Sequence, residues 1–68
     1  VIRERLKELL RKLKARGETV LLIEHDMDFV RSVADHVIVM DQGSILAEGE
    51  PEEVLKERKV LEAYLGGV

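Results

Sequence analysis

The sequence predicts an α/β fold built in the order helix, strand, helix, strand, strand, helix. Apolar residues recur at a helical spacing near the start of the chain, whereas two later stretches are continuous aliphatic runs. The first pattern is typical of an amphipathic helix, and the second is typical of a strand buried on both faces. The opening helix–strand–helix–strand order therefore predicts a parallel pair of strands joined by a right-handed crossover.

The first helix is predicted over residues 2–16. Its apolar side chains form one stripe, made by Ile2, Leu6, Leu9, Leu10 and Leu13. Arg16 lies in the last turn, where the helix dipole favours a positive charge. Gly17 supplies the stop, because glycine readily adopts the left-handed conformation that ends many helices.

A buried strand is predicted over residues 19–23, which read Thr-Val-Leu-Leu-Ile. The polar residues Glu24, His25 and Asp26 follow at its carboxyl end. Asp26 is a candidate N-cap for a second helix, predicted over residues 27–35. The polar cluster thus lies where open α/β sheets bind their ligands, at the carboxyl end of a parallel strand.

A hairpin is predicted over residues 37–49, with Gly43 at a turn position that requires positive φ. Its first strand, Val37 to Met40, reads as buried on both faces. C-terminal helices are predicted over residues 51–66, because Pro51 suits the first turn of a helix. The pair Gly66-Gly67 follows and ends them.

The composition is that of one small folded domain. The chain has 68 residues, of which 46% are apolar and 37% charged, with a net charge of −3 and no cysteine. Without cysteine, a disulfide framework and a thiolate metal site are excluded. A chain this short cannot hold a complete nucleotide-hydrolysing domain, so we expect it to form part of something larger. No apolar run approaches the roughly 18 residues of a membrane span, and no signal peptide is evident.

The charge is uneven, with a net of +5 over residues 1–16 and −8 over residues 17–68. A basic helix can indicate a nucleic-acid partner or an acidic surface. No aromatic residue interleaves with these bases to stack on nucleotides. A solvated helix face is therefore the favoured interpretation, and no nucleic-acid partner is expected.

His25 is the principal candidate for chemistry, since a histidine at a strand end can orient a phosphate or a water. The alternative is a histidine that packs or caps the loop. His36 is expected to have a surface role at the start of a strand. The acidic residues around His25 suggest a divalent metal, but their spacing matches neither a histidine pair at i+4 nor a calcium loop. No metal site is therefore predicted.

The string TVLLIEHDM at residues 19–27 resembles the switch-histidine segment, or H-loop, of ATP-binding cassette (ABC) ATPases. Residues 33–54 look like the strand, hairpin and G-x-P-x-E helix start that follow in that family. The ending VLEAYLG at residues 60–66 is similar to the tail of ATP-binding subunits of branched-chain amino acid transporters. The resemblance covers essentially the whole chain and corresponds to the C-terminal segment of such a subunit.

This resemblance implies a partial P-loop NTPase-like fold in which His25 is the catalytic switch histidine, placed against the γ-phosphate of ATP. It implies ATP and Mg²⁺ as cofactors of the complete subunit, which would couple ATP hydrolysis to import of branched-chain amino acids. The implied partners are the rest of the nucleotide-binding domain, a second ATPase subunit and transmembrane permease subunits. The implied location is cytoplasmic, at the inner face of the cell membrane through the permease subunits.

The chain also departs from the family. The P-loop, Q-loop, signature sequence and Walker B strand lie upstream in the family and are absent from these residues. We therefore expect no ATPase activity and no bound cofactor for the isolated 68 residues. Glu50 stands where the family often has Thr or Ser, so a weaker helix cap is expected there. Two alternatives remain, namely a non-catalytic α/β binding or assembly module and a nucleic-acid binder acting through residues 1–16.

Overall fold

A computed structural model describes residues 2–64 and divides the chain into two compact units, with the boundary between Val33 and Ala34. The elements of the first unit are α1 (Ile2–Ala15) and α2 (Met27–Val33). Those of the second are β1 (Val37–Asp41), β2 (Ser44–Gly49), α3 (Pro51–Val54) and α4 (Arg58–Tyr64). The α/β class and the antiparallel hairpin are confirmed. The predicted end of the last helix at residues 65–66, and Gly66-Gly67, lie outside the described residues.

Helix α1 ends at Ala15 and is followed by the glycine that the sequence predicts as its stop. The N–H of Gly17 donates to the carbonyl of Lys14 at 2.9 Å, and the N–H of Glu18 donates to the carbonyl of Leu13 at 3.0 Å. These two bonds form a Schellman motif, which requires a residue in the left-handed region. Gly17 supplies it, with a φ of 84°. The stop is therefore encoded locally.

The predicted strand over residues 19–23 is not formed, and this prediction is wrong. These residues have no regular secondary structure, and the sheet of the described chain consists of β1 and β2. The predicted parallel pair is therefore not present in residues 2–64. A strand needs a neighbour for its N–H and C=O groups, and no described strand pairs with this run. Leu21 and Ile23 remain 87% and 90% exposed.

A two-residue turn, Gln42-Gly43, joins β1 to β2. Both residues have positive φ, 49° for Gln42 and 82° for Gly43. Positive φ at both positions defines a type I′ turn, whose twist matches that of the flanking strands. The predicted positive φ at Gly43 is confirmed. Gln42 adopts the same region with a Cβ, which carries a steric cost that glycine avoids.

One extra residue in β2 shifts the pairing halfway along the hairpin. Met40 pairs with Ile45, whereas the preceding residue Val39 pairs with Ala47. Leu46 is therefore the extra residue of a β-bulge. Beyond the bulge the paired residues Val39 and Ala47 are both buried, at 2% and 9% exposed.

The core of the second unit lies between one face of the hairpin and the helices α3 and α4. Its buried residues are Val37, Val39, Ala47, Val54, Leu55 and Val60. On the opposite face Ile38, Met40 and Ile45 are exposed. The prediction that Val37 to Met40 is buried on both faces is therefore wrong. The described helices cover one face, and no described element of this unit covers the other.

Helix α3 begins at Pro51 without a side-chain cap. Glu50 occupies the N-cap position and makes no side-chain capping bond, as expected for this residue type. Its backbone carbonyl accepts the N–H groups of Glu53 and Val54 at 3.0 and 2.9 Å. Backbone bonds and the fixed φ of proline thus start this helix.

None of the helices in residues 2–64 is long and apolar enough to cross a membrane.

Candidate functional site

His25 lies in the loop that precedes α2, and Glu24 fixes the backbone of that loop. Oε1 of Glu24 accepts the N–H of His25 at 2.8 Å and the N–H of Asp26 at 3.3 Å. One carboxylate oxygen thus satisfies two backbone donors that no regular secondary structure pairs. The backbone conformation at His25 is therefore stabilised by its contact with Glu24, although the strand predicted before it is not formed.

Asp26 caps α2, as predicted. Its Oδ1 accepts the N–H of Phe29 at 3.1 Å, and its carbonyl accepts the N–H of Val30 at 3.0 Å. A bond from the N-cap side chain to the third helical amide is typical of a helix start and contributes about 1 kcal/mol. His25 therefore precedes a capped helix directly, so its backbone is fixed on the C-terminal side as well.

The second carboxylate oxygen of Asp26 contacts α1. Oδ2 forms an ion pair with Nη1 of Arg3. The guanidinium carbon of Arg3 lies 5.8 Å from the centroid of the Phe29 ring, and Phe29 is buried. Arg3 thus contacts both the acceptor and the donor residue of the capping bond. A planar guanidinium suits this position because it can pair with a carboxylate and lie over an aromatic ring.

The imidazole of His25 is open to solvent. Its side chain is 94% exposed, and its Nε2 lies 3.8 Å from Oε1 of Glu24, which is beyond hydrogen-bonding distance. No side chain among residues 2–64 is hydrogen-bonded to this ring. A neutral imidazole offers one donor and one acceptor nitrogen. Both are free to meet a ligand, while the backbone that carries them is fixed.

An open depression of about 300 Å³ lies beside this loop, lined by Arg3, Glu4, Lys7, Asp26, Asp28 and Phe29. Its lining carries more carboxylates than cations, so it offers no positive field for a phosphate. Within the described part of the chain, no group of three or more His, Cys, Asp or Glu residues could hold a metal ion.

His36 has the surface position that its sequence context predicts. Its Nε2 lies 2.9 Å from Oε2 of Glu48, and the two side chains are 56% and 49% exposed. The pair joins the residue before β1 to the far end of β2. His36 is thus hydrogen-bonded to a carboxylate, whereas no described residue is hydrogen-bonded to the His25 ring. A substitution of His36 can therefore serve as a control for the same substitution of His25.

Comparison with known proteins supports the resemblance. A family model described as "Branched-chain amino acid ATP-binding cassette transporter" matches residues 44–68. The BraF high-affinity branched-chain amino acid transport ATP-binding protein of Pseudomonas aeruginosa is 50% identical over 62 residues, which is 90% of this chain and 24% of that protein. No solved structure matches the chain.

Two further relatives carry the name LivG. The probable branched-chain amino acid transport ATP-binding protein of Archaeoglobus fulgidus is 46% identical over 81% of this chain and 21% of that protein. The high-affinity protein of Escherichia coli K12 is 44% identical over 90% of this chain and 24% of that protein. The chain thus spans about a quarter of the length of the curated relatives it matches.

These matches relate the chain to the ATP-binding proteins of ABC transporters. Within that class, the relatives reported above are branched-chain amino acid transport ATP-binding proteins. The resemblance stated from the H-loop, the hairpin and the C-terminal motif is therefore confirmed.

The sequence does not single out the roles of two residues of this site, Glu24 and Arg3. The sequence places Glu24 in a polar cluster but does not predict the bonds that its carboxylate accepts from backbone N–H groups. A carboxylate directly before an unpaired loop is the local signal that could have indicated them. Arg3 carries no such signal, because its contact with Asp26 spans 23 positions of the chain.

Proposed function

We propose that this chain is the C-terminal part of an ABC transporter ATPase and that it contributes the switch histidine, His25. The complete protein would couple ATP hydrolysis to the import of branched-chain amino acids. The observation that carries the proposal is the state of His25. Its ring is exposed on a loop fixed from both sides, within a chain that is 50% identical to a branched-chain amino acid transport ATP-binding protein.

His25 would act as a hydrogen-bond donor to the γ-phosphate and help hold the attacking water. Phosphoryl transfer depends mainly on positioning and on stabilising the charge of the transition state, and a fixed donor supplies both. The proton that His25 donates in this hydrogen bond would be carried on a nitrogen of its imidazole ring. Because Glu24 and Asp26 fix the backbone, little reorganisation of the loop would be required when the ring meets its ligand.

ATP and Mg²⁺ are the proposed cofactors of the complete subunit. ATP supplies the phosphoryl group, and Mg²⁺ neutralises phosphate charge. The free donor of His25 fits one part of such a site, the contact with a terminal phosphate oxygen. These 68 residues contain no phosphate-cradling glycine loop, so the other contacts would come from the remainder of the nucleotide-binding domain.

The proposed partners follow from the similarity of this chain to transport ATP-binding proteins. The chain would be continuous with the rest of a nucleotide-binding domain that pairs with a second ATPase subunit and with transmembrane permease subunits. The proposed location is the cytoplasmic face of the membrane. The matches to transport ATP-binding proteins favour this function over a free assembly module and over a nucleic-acid binder.

The test is a pair of histidine variants in the complete subunit. His25→Ala is expected to lower the turnover number for ATP by about 100-fold, with little change in ATP affinity, because the lost donor acts mainly in the transition state. His36→Ala is the matched control, since its partner is the surface residue Glu48. Phosphate release, ATP binding and thermal unfolding would be measured on the same preparations.

Two results would contradict the proposal. One is turnover of His25→Ala close to the parent rate. The other is equal damage to turnover in His36→Ala. A histidine that merely packs or caps should instead cost roughly 1 kcal/mol of stability and leave turnover per folded molecule nearly intact.

A further inference from the structure

We propose that Arg3 is a positioning residue for His25. It acts by holding Asp26, the residue that joins the His25 loop to α2. The inference rests on the proposed function for its catalytic consequence. Its structural part, that Arg3 fixes the loop, can be measured without ATP.

The geometry gives Arg3 a contact with each side of the capping bond. Its guanidinium pairs with Oδ2 of Asp26, while Oδ1 of the same carboxylate accepts the Phe29 N–H at 3.1 Å. It also lies over the ring of Phe29, 5.8 Å from the centroid. Arg3 therefore restrains both the rotation of the Asp26 carboxylate and the ring of the residue that donates to it.

The restraint passes to His25 through one peptide bond. The Asp26 N–H donates to the Glu24 carboxylate, and the Asp26 side chain caps α2. If the carboxylate of Asp26 turns away from Phe29, the loop loses its side-chain anchor on the helix. It then keeps the bond from the Val30 N–H to the Asp26 carbonyl and the contact with Glu24. Within the residues that the structure describes, the exposed imidazole has no hydrogen bond of its own to restore its position.

The ion pair is partly solvated, which limits the size of the effect. The side chains of Arg3 and Asp26 are 58% and 28% exposed. Pairs of this kind contribute modestly to stability, so loss of Arg3 should lower turnover about three- to fivefold rather than abolish it. The effect on ATP affinity should be small, because Arg3 is not proposed to touch the nucleotide.

The first measurement is amide hydrogen exchange in the complete, nucleotide-free subunit. Arg3→Met removes the charge and retains a long side chain with good helix propensity. It should accelerate exchange of the Phe29 amide and of peptides covering residues 24–29 severalfold. Arg5→Met is the matched control, since it removes the same charge from the same helix and Arg5 contacts neither Asp26 nor Phe29.

The second measurement is a double-mutant cycle for turnover. Arg3→Met should lower the turnover number in the parent subunit and leave it unchanged in the His25→Ala background, because a positioning residue has nothing left to position there. Arg5→Met should change turnover in neither background. The KM for ATP should be unchanged in Arg3→Met.

The outcomes separate this inference from the proposed function. Unchanged exchange in Arg3→Met would overturn it, and so would unchanged turnover or an equal loss of turnover in both backgrounds. If His25→Ala itself keeps the parent rate, the proposed function fails, and the exchange measurement still decides whether Arg3 holds the loop.

Discussion

Nε2 of His36 lies 2.9 Å from Oε2 of Glu48, and the bulge at Leu46 makes this contact possible. In a regular hairpin with the same two-residue turn, Glu48 would pair with Val37 and point to the buried face. The extra residue moves Glu48 opposite Ile38, on the exposed face. Because side chains alternate between faces, one residue is enough to reverse the orientation. A charged residue thus avoids burial and meets the imidazole.

We expect the isolated 68-residue chain not to bind Mg-ATP appreciably. It has no glycine loop to cradle phosphates, and one exposed imidazole cannot replace the several donors of such a loop. Isothermal calorimetry with Mg-ATP would test this, with the complete subunit as the positive control. Micromolar binding by the isolated chain would contradict it and would require a different nucleotide site.

We expect the isolated chain to be poorly folded or to self-associate. The apolar side chains of Leu21, Ile23, Met40 and Ile45 are each more than half exposed. Exposed apolar residues and unpaired strand edges favour pairing between chains, and so short a chain is only marginally stable by itself. Sedimentation velocity should show a mass above that of the monomer or an expanded monomer.

The double variant Met40→Lys, Ile45→Lys tests which surface is responsible. These residues pair on the exposed hairpin face, so like charges there should reduce association. Ser44→Lys, at an exposed position next to Ile45, serves as the control. A parent chain that is monomeric, unfolds cooperatively and exchanges its strand amides slowly would show the prediction to be wrong.

We expect Gly43→Ala to destabilise the complete subunit by about 1 kcal/mol, because alanine is strained at positive φ. Gly43 has a φ of 82°, and a Cβ there would meet nothing within 4 Å. The cost should therefore come from the backbone and not from a clash. Gly43→Asn should lose less, since asparagine tolerates the left-handed region. Equal losses of thermal stability for the two variants would argue against a backbone origin.

Local features of the fold could be predicted from the sequence, and features that depend on distant partners could not. Gly17, the Gly43 turn and the Asp26 cap each act within a few residues, so their signals are short patterns. The run at residues 19–23 carries the composition of a strand, but pairing depends on a neighbour, and none is present among residues 2–64.

The candidate site also combines a residue that could be predicted from the sequence with a contact that could not. His25 could be singled out from its position in the chain and from a family resemblance. The contact between Arg3 and Asp26 could not, because no short pattern links a side chain of α1 to the N-cap of α2. The bulge at Leu46 is likewise not predictable from a short pattern, because it depends on which of two registers buries the better set of side chains.

The bulge also determines how this hairpin can change in length. Leu46 has no partner of its own, so a deletion at this position would leave Val39 opposite Ala47 and Met40 opposite Ile45. Deletion of Ala47 would instead place Leu46 opposite Val39. Deletion of Glu48 would place Ala47 opposite Ile38, so each of these deletions would change a cross-strand neighbour. The second strand therefore contains one place where a chain shortened by a single residue can keep the same cross-strand neighbours and the same inward-facing side chains.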